Sequence, residues 1–269
     1  MNVYENFDNI YKFMDIIEKR PNNGKFGQSS QKESSDGWSG TRTYKEAVEQ
    51  FSNGLPETCE RMKKSLERFK ANANVSQNKA RPRNYYHGYT PNIPAAIMGL
   101  PKSMRQIERT PQKVKAISIM YDASANCGTS ADTLNKAGCT VLELVYALEV
   151  KGYRVRLDLL PFTSKDGEEV VCAITLKDWR QPLDLLKLSF PLTSPAMFRR
   201  FGFKWAEGIP GVEKHFCSYG RTLTKDACRK LMEAHGVKTD NAYFIDVRDC
   251  QKADFDALKV ADALGIKRG

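Results

Sequence analysis

Long hydrophobic runs are missing. No apolar stretch in the 269 residues approaches the ~20 needed to span a bilayer, so no membrane partner is expected. Met1 to Lys25 carries acids and no apolar h-region, which excludes a secretory signal there. CxxC pairs are absent. The seven cysteines, Cys59, Cys127, Cys139, Cys172, Cys217, Cys228 and Cys250, are odd in number and scattered. That favours reduced thiols in a cytosol over a disulfide framework. No P-loop, Gly-rich dinucleotide fingerprint or Ser-His-Asp order is present, and no internal repeat.

Histidine is scarce, three in all. His215, Cys217, Cys228 and His235 match no familiar zinc spacing, and structural thiols with a helix-end histidine are expected instead. Asp240, Asp246, Asp249 and Asp254 cluster late in the chain. They fall on a loop, a strand end and a helix start, a poor match for the converging carboxylates of a two-metal nuclease.

What the sequence does have is misplaced positive charge. The net charge is +10, yet thirteen Lys or Arg and only two acids fall in residues 61–115, leaving the rest at −1. Such a block points to an anionic partner, nucleic acid first, or to a solvated helix face. Lys63 and Lys64 belong on the outer face of a helix. Arg81, Arg83, Tyr85, Tyr86, His87 and Tyr89 interleave cations and rings, with Arg105 and Arg109 further on. Single-stranded nucleic acid binders use this mixture. An ordered loop with wet tyrosines uses it too, and that reading is favoured.

The chain divides into residues 1–37, an amphipathic helix and a flexible loop; 38–112, a mostly helical basic extension; and 113–269, an α/β domain. Thr43 with Glu46 predicts a capping box for a helix over Tyr44 to Ser52. A second helix follows to about Phe69, with Met62, Leu66 and Phe69 inward. Residues 71–92 read as irregular.

The organising stretch is 113–162. A short apolar run ends at Tyr121 and meets the oxygen-rich loop Asp122-Ala123-Ser124-Ala125-Asn126. A helix from about Asp132 to Val150, a break at Gly152 and a second strand complete a βαβ unit. A hairpin turns at residues 164–167 into a return strand, Val170 to Leu176. Helices at 183–190, 194–203 and 224–235, a strand at 242–247 and a helix at 254–264 complete the α/β pattern. The expected fold is a mostly parallel central sheet with helices on both faces and a helical N-terminal extension. Arg199 and Arg200, among Phe198, Phe201 and Phe203, read either as surface charge or as stems packed on the core.

Asp122-Ala123-Ser124 at the end of a first strand, before a long helix and a second strand, resembles a von Willebrand factor A-like domain. The resemblance implies a divalent cation, Mg²⁺ or Ca²⁺, on Asp122, Ser124 and Asn126, with Asn126 standing where the family's motif has Ser. Thr193 or Thr163, and Asp246 or Asp249, are candidates to complete the set. A second resemblance covers Trp38 to about Gly208. Its marks are Trp38-Ser39-Gly40-Thr41, Gly54-Leu55-Pro56-Glu57, Asn92-Ile93-Pro94, Gly99-Leu100-Pro101, Ala137-Gly138 before Val141-Leu142-Glu143, Gly152-Tyr153-Arg154-Val155 and Pro195-Ala196-Met197-Phe198-Arg199-Arg200. In this order they are similar to a family of uncharacterised tailed-bacteriophage proteins. Together the two imply a phage origin and a von Willebrand A-like core, with no assigned activity; the expected function is a non-enzymatic module in the bacterial host cytoplasm, with virion association as a variant. It would bind a phage or host protein through a von Willebrand A-like face with a basic flank. DNA or RNA binding is the alternative, and a metal-dependent nuclease the less favoured third reading.

Overall fold

The computed structural model describes residues 2–21, 30–72, 82–107, 115–126, 128–165, 168–211 and 224–266. The fold is mixed α/β. Its strands and helices, in order, are β1 (Asn2–Phe7), α1 (Ile10–Lys19), α2 (Asp36–Ser39), α3 (Tyr44–Asn53), α4 (Pro56–Asn72), β2 (Pro82–Tyr85), β3 (Thr90–Pro91), α5 (Ile93–Ile97) and β4 (Met104–Ile107). Then come β5 (Ala116–Asp122), α6 (Ala131–Val150), β6 (Arg154–Leu159), β7 (Phe162–Lys165), β8 (Glu168–Lys177) and α7 (Leu185–Thr193). A π-helical turn, Met197–Gly202, runs into α8 (Phe203–Glu207), and α9 (Lys225–Ala234), β9 (Ala242–Asp246), α10 (Val247–Lys252) and α11 (Ala257–Ala263) follow.

The main sheet has the order β1-β8-β6-β5-β9, with β7 folded back on β8. β5 lies parallel to both β6 and β9, β1 is parallel to β8, and the β6–β8 junction is antiparallel. The mostly parallel sheet and the central βαβ unit are as expected. The helical N-terminal extension is not: the chain begins with β1, a sheet strand, and the helix starts only at Ile10. Asn9 caps that helix by accepting from the Lys12 N–H. Glu5, on β1, accepts from Arg20 Nη2 at 2.8 Å and from the Trp205 indole at 2.8 Å, which ties the strand to α8. The apolar side chains of residues 1–20 fit a helix face, and that pattern hid a strand of six residues too short to show its own period.

Strand alternation sets the two faces of the sheet. Ile117, Ile119 and Tyr121 of β5, Val155, Leu157 and Leu159 of β6, and Cys172 and Ile174 of β8 enter the larger core with α1, α4, α6 and α7. Met120, Val171, Ala173 and Phe244 face the other way, where α9 covers them with Cys228, Leu231 and Met232. Lys177, 2% exposed, is paired with Glu149 at 2.5 Å where β8 leaves the sheet.

Gly138 lets α6 lie against the backbone of α7: a Cβ there would sit 2.1 Å from the Leu192 carbonyl oxygen. Thr43 caps α3 through the Glu46 N–H, as expected, but the Glu46 carboxylate accepts from the Arg42 N–H instead of closing the box. Met62 and Leu66 of α4 are buried and Phe69 packs on the core, as the helical spacing predicts. The start of the expected central strand at 113–114, the hairpin turn at 166–167 and Cys127 lie outside the described residues.

Replacing Gly138 by Ala is expected to destabilise the fold by about 1–3 kcal/mol, the usual cost of overpacking a tight interface. Urea unfolding of the variant checks this, and an unchanged midpoint would mean that α6 and α7 do not meet there.

Candidate functional site

Parallel strands aim their carboxyl ends at one edge, where open α/β sheets take ligands. Asp122 ends β5 there, in register with Asp246 at the end of β9. The Asp122 carboxylate is buried and accepts the Ser124 N–H at 2.7 Å, an Asx-type turn. The Ser124 hydroxyl bonds it as well. Burial drives the Asp122 pKa well above the ordinary carboxylate value; the Ser124 bonds oppose this, and Asp246 adds to the rise. Among the described residues no cation stands within ion-pair distance of Asp122.

Asn126 turns its side-chain oxygen back on the Gly128 N–H at 3.2 Å. Asp246 caps α10: its carboxylate takes the Asp249 N–H at 2.8 Å, and Asp249 returns the bond to the Asp246 N–H. Arg248 pairs with Asp246 at 3.3 Å, and Lys225 pairs with Asp249. Of the two threonine candidates, Thr193 is buried and donates to the Ser189 carbonyl, and nothing is described of the Thr163 side chain. Among the described residues no group of three or more His, Cys, Asp or Glu gathers as a metal cluster. Cys228 is packed in the smaller core and His235 lies against the Tyr4 ring at 5.4 Å; His215 and Cys217 lie outside the described residues.

The loop after Asp122 is held from behind by an arginine. Arg199 is 1% exposed and donates through Nη2 to the carbonyls of Asn126 and Thr129, each at 3.0 Å. Its Nη1 bonds the Trp38 carbonyl, and its guanidinium lies 4.8 Å from the Trp38 ring centre. Arg200 is equally buried. It donates to the carbonyls of Ser30 at 2.9 Å, Lys32 at 2.5 Å, Thr41 at 2.9 Å and Arg42 at 2.7 Å, and to the Ser34 hydroxyl at 2.8 Å. Glu207 takes the N–H and hydroxyl of Ser30. Residues 30–37, expected as part of a flexible loop, are therefore bolted to the π-helical turn; residues 22–29 lie outside the described residues.

This settles the two arginines as buried structural donors. Sequence reasoning missed the bond they form with Trp38-Ser39-Gly40-Thr41, about 160 positions away. The available signal was composition: two arginines set inside an aromatic run, Phe198 to Phe203, with no acid beside them. Gly40, at φ 76°, closes the junction; a Cβ there would stand 2.9 Å from Pro195 Cδ.

The basic, tyrosine-bearing stretch is a small separate sheet, not an irregular loop. β2 and β3 both pair antiparallel with β4. The register puts Arg83 opposite Gln106 and Tyr85 opposite Met104, on one face, and Arg105 opposite Asn84 on the other. Tyr86, exposed, has Lys102 Nζ 5.5 Å from its ring centre. Lys63, paired with Glu60 at 2.6 Å, and Lys64 lie exposed on α4, a different element. Arg81 and Arg109 lie outside the described residues. None of residues 83–106 enters either hydrophobic core.

Two outcomes follow from these contacts. Arg200→Met would leave four backbone carbonyls without their donor, a loss of about 3 kcal/mol or more. Urea unfolding and limited proteolysis within 30–42 read it; wild-type stability would show that the cage is dispensable. Asp122→Asn keeps the acceptor for Ser124 and removes the charge. The raised Asp122 pKa means that its protonated form supports folding fully below the unfolded value of about 4 and less as pH climbs through the folded value. The variant should therefore melt above wild type at alkaline pH, with the gap closing in acid. A gap independent of pH would contradict a buried, proton-holding Asp122.

No curated protein matches the chain, and no solved structure does. A family model does, over residues 1–268. The match spans the Asp122 loop, the arginine cage and the basic sheet together, and by it the chain belongs to the family described as "Domain of unknown function (DUF7192)".

Proposed function

We propose that the protein is a non-enzymatic interaction module that binds a protein partner, using a von Willebrand A-like face at Asp122 with the basic sheet at 82–107 as its flank. One observation carries this reading. Of the nine large hydrophobic side chains left exposed among the described residues, six fall between 86 and 100: Tyr86, Tyr89, Ile93, Ile97, Met98 and Leu100. Concentrated exposed apolar surface marks an interaction site. The same unit holds Arg83, Lys102 and Arg105 and no acid. The complementary partner presents an apolar patch rimmed by carboxylates.

The von Willebrand A-like reading is supported by the strand that runs into Asp122, by the helix and parallel strand that follow, and by Asp246 in register beside it. A divalent cation such as Mg²⁺ suits this edge on charge grounds. Asp122 and Ser124 would hold it, Asn126 would face it from the loop, and water would fill the remaining positions, as Mg²⁺ commonly keeps several waters. Bound there, it would neutralise the buried carboxylate and offer a coordination position to a partner's acid. The resemblance to tailed-bacteriophage proteins supports a phage origin and a place in the host cytoplasm.

Nucleic-acid binding is the second reading, favoured by Arg83 and Tyr85 on one sheet face. Aliphatic Ile93, Ile97 and Met98 contribute little to a phosphate-led complex, which ranks it lower.

The test is affinity capture from infected cells with wild type and with an Ile93→Ser, Ile97→Ser, Met98→Ser variant. A protein held by the first and lost by the second supports the module, while identical captures oppose it. Binding to labelled DNA that weakens steeply with salt would promote the second reading. Thermal melting with Mg²⁺ should show a rise for wild type and none for Asp122→Asn. Equal curves with and without the ion would leave the loop purely structural.

A further inference from the structure

Among the described residues the second face of the main sheet is only partly covered. α9 lies over Met120, Val171 and Phe244, and beside it is a cavity of about 350 Å³ lined by residues of the strands. Its floor holds an unusual group for a sheet face. Asp158, 1% exposed, receives Arg156 Nε on both oxygens, at 3.0 and 2.8 Å. Thr175 bonds the same carboxylate at 2.8 Å and accepts from Arg156 Nη2 at 2.9 Å. Apolar residues of like volume would generally fill such a position at no loss of stability, so the fold does not require the charges.

The network fixes the Arg156 guanidinium by one edge. Among the described residues its other terminal nitrogen, Nη1, has no partner, and Arg156 is one of the residues lining the cavity. Tyr4, Asn6, Ser118 and Lys238, residues with donor groups, line the same space, as does the acid Asp240 next to Lys238 in the lining. Burial, with Asp158 next, pushes the Tyr4 phenol up to about 12, so it remains a protonated donor at neutral pH. Trp179 forms an apolar wall, with the Arg156 guanidinium 5.5 Å from its ring centre. Met120 and Met232 extend the apolar lining.

We propose that this cavity is a binding site for a small organic oxyanion, a carboxylate or a monophosphate on a compact apolar or planar body. Arg156, oriented by Asp158 and Thr175, meets the oxyanion; Lys238 adds charge; Trp179 takes the body. A guanidinium pre-set by a buried carboxylate presents its remaining N–H groups in fixed geometry, which suits planar or tetrahedral oxygen acceptors. The volume falls at the small end of ligand pockets, which suits a metabolite-sized molecule and excludes a polymer. The site is separate from the Asp122 edge and does not depend on the function proposed there.

The full chain can be titrated with phenyl phosphate, benzoate and inorganic phosphate, following Trp179 emission against a Trp179→Phe control and heat by calorimetry. Phenyl phosphate or benzoate should saturate below about 1 mM, with inorganic phosphate about tenfold weaker for want of the apolar contact. Lys238→Ala, an exposed change, should weaken binding about tenfold, the worth of one charge-assisted hydrogen bond. The paired Arg156→Met, Asp158→Leu variant removes both charges without stranding either and should lose binding while melting as a folded protein. No saturable binding by any of the three probes, or unchanged affinity in the paired variant, would overturn the site. Inorganic phosphate binding as tightly as phenyl phosphate would overturn the organic part.

Discussion

Two fully buried guanidiniums, Arg199 and Arg200, donate to backbone carbonyl oxygens from distant parts of the chain. A buried cation left without such acceptors is costly, so each arginine needs its surrounding chain as much as the chain needs it. Successive residues on a helical turn point in different directions, and that divergence gives the pair two targets. Arg199 reaches the loop at Asn126 and Thr129; Arg200 reaches the segment from Ser30 to Arg42. The π-helical turn that carries them is therefore the mechanical joint between the N-terminal segment and the loop after β5. Turns of this kind recur at functional sites, where a local irregularity aims side chains that a regular helix would not.

The consequence for the Asp122 edge is rigidity. Asn126 and Thr129 are held by more than the short-range bonds of their loop. Arg199 clamps their carbonyls from the core, and its ring partner Trp38 comes from a distant part of the chain. Asp122 is thus presented on a fixed support, and Asp246 is fixed beside it by the capping box that starts α10. If the edge recognises a partner as proposed, it would gain affinity from such preorganisation, because little conformational freedom would remain to be lost on binding.

Elements with a strong local signal were legible in the sequence: β5 by its apolar run, α6 by its length and the Gly152 break, α4 by its amphipathic spacing. Others were silent for physical reasons. β1 has six residues and is stabilised by its partner β8, a contact no local pattern encodes. The sheet of β2, β3 and β4 has strands of two to four residues that never fill an alternating window. The motif residues Trp38-Ser39-Gly40-Thr41 and Arg199-Arg200 were each visible, but their meeting is a tertiary fact. At the candidate site, Asp122 and Ser124 were readable because neighbours in sequence make that turn. Asp246 could be named only as one of two candidates, since strand order decides which carboxylate comes alongside.

The two faces of the sheet then divide the molecule. One face is closed by α1, α4, α6 and α7 over a continuous apolar core, and it supplies the stability. The other is half covered by α9 and keeps a salt-bridged network where apolar packing would serve stability as well. The small sheet at 82–107 goes further, leaving Ile93 64% and Ile97 80% exposed among the described residues. Exposed isoleucines in a protein with so much apolar burial elsewhere are a cost to solubility. The partner proposed above would bury them, with Arg83, Lys102 and Arg105 favouring an acidic one and the clamped Asp122 edge as a second, rigid point of attachment.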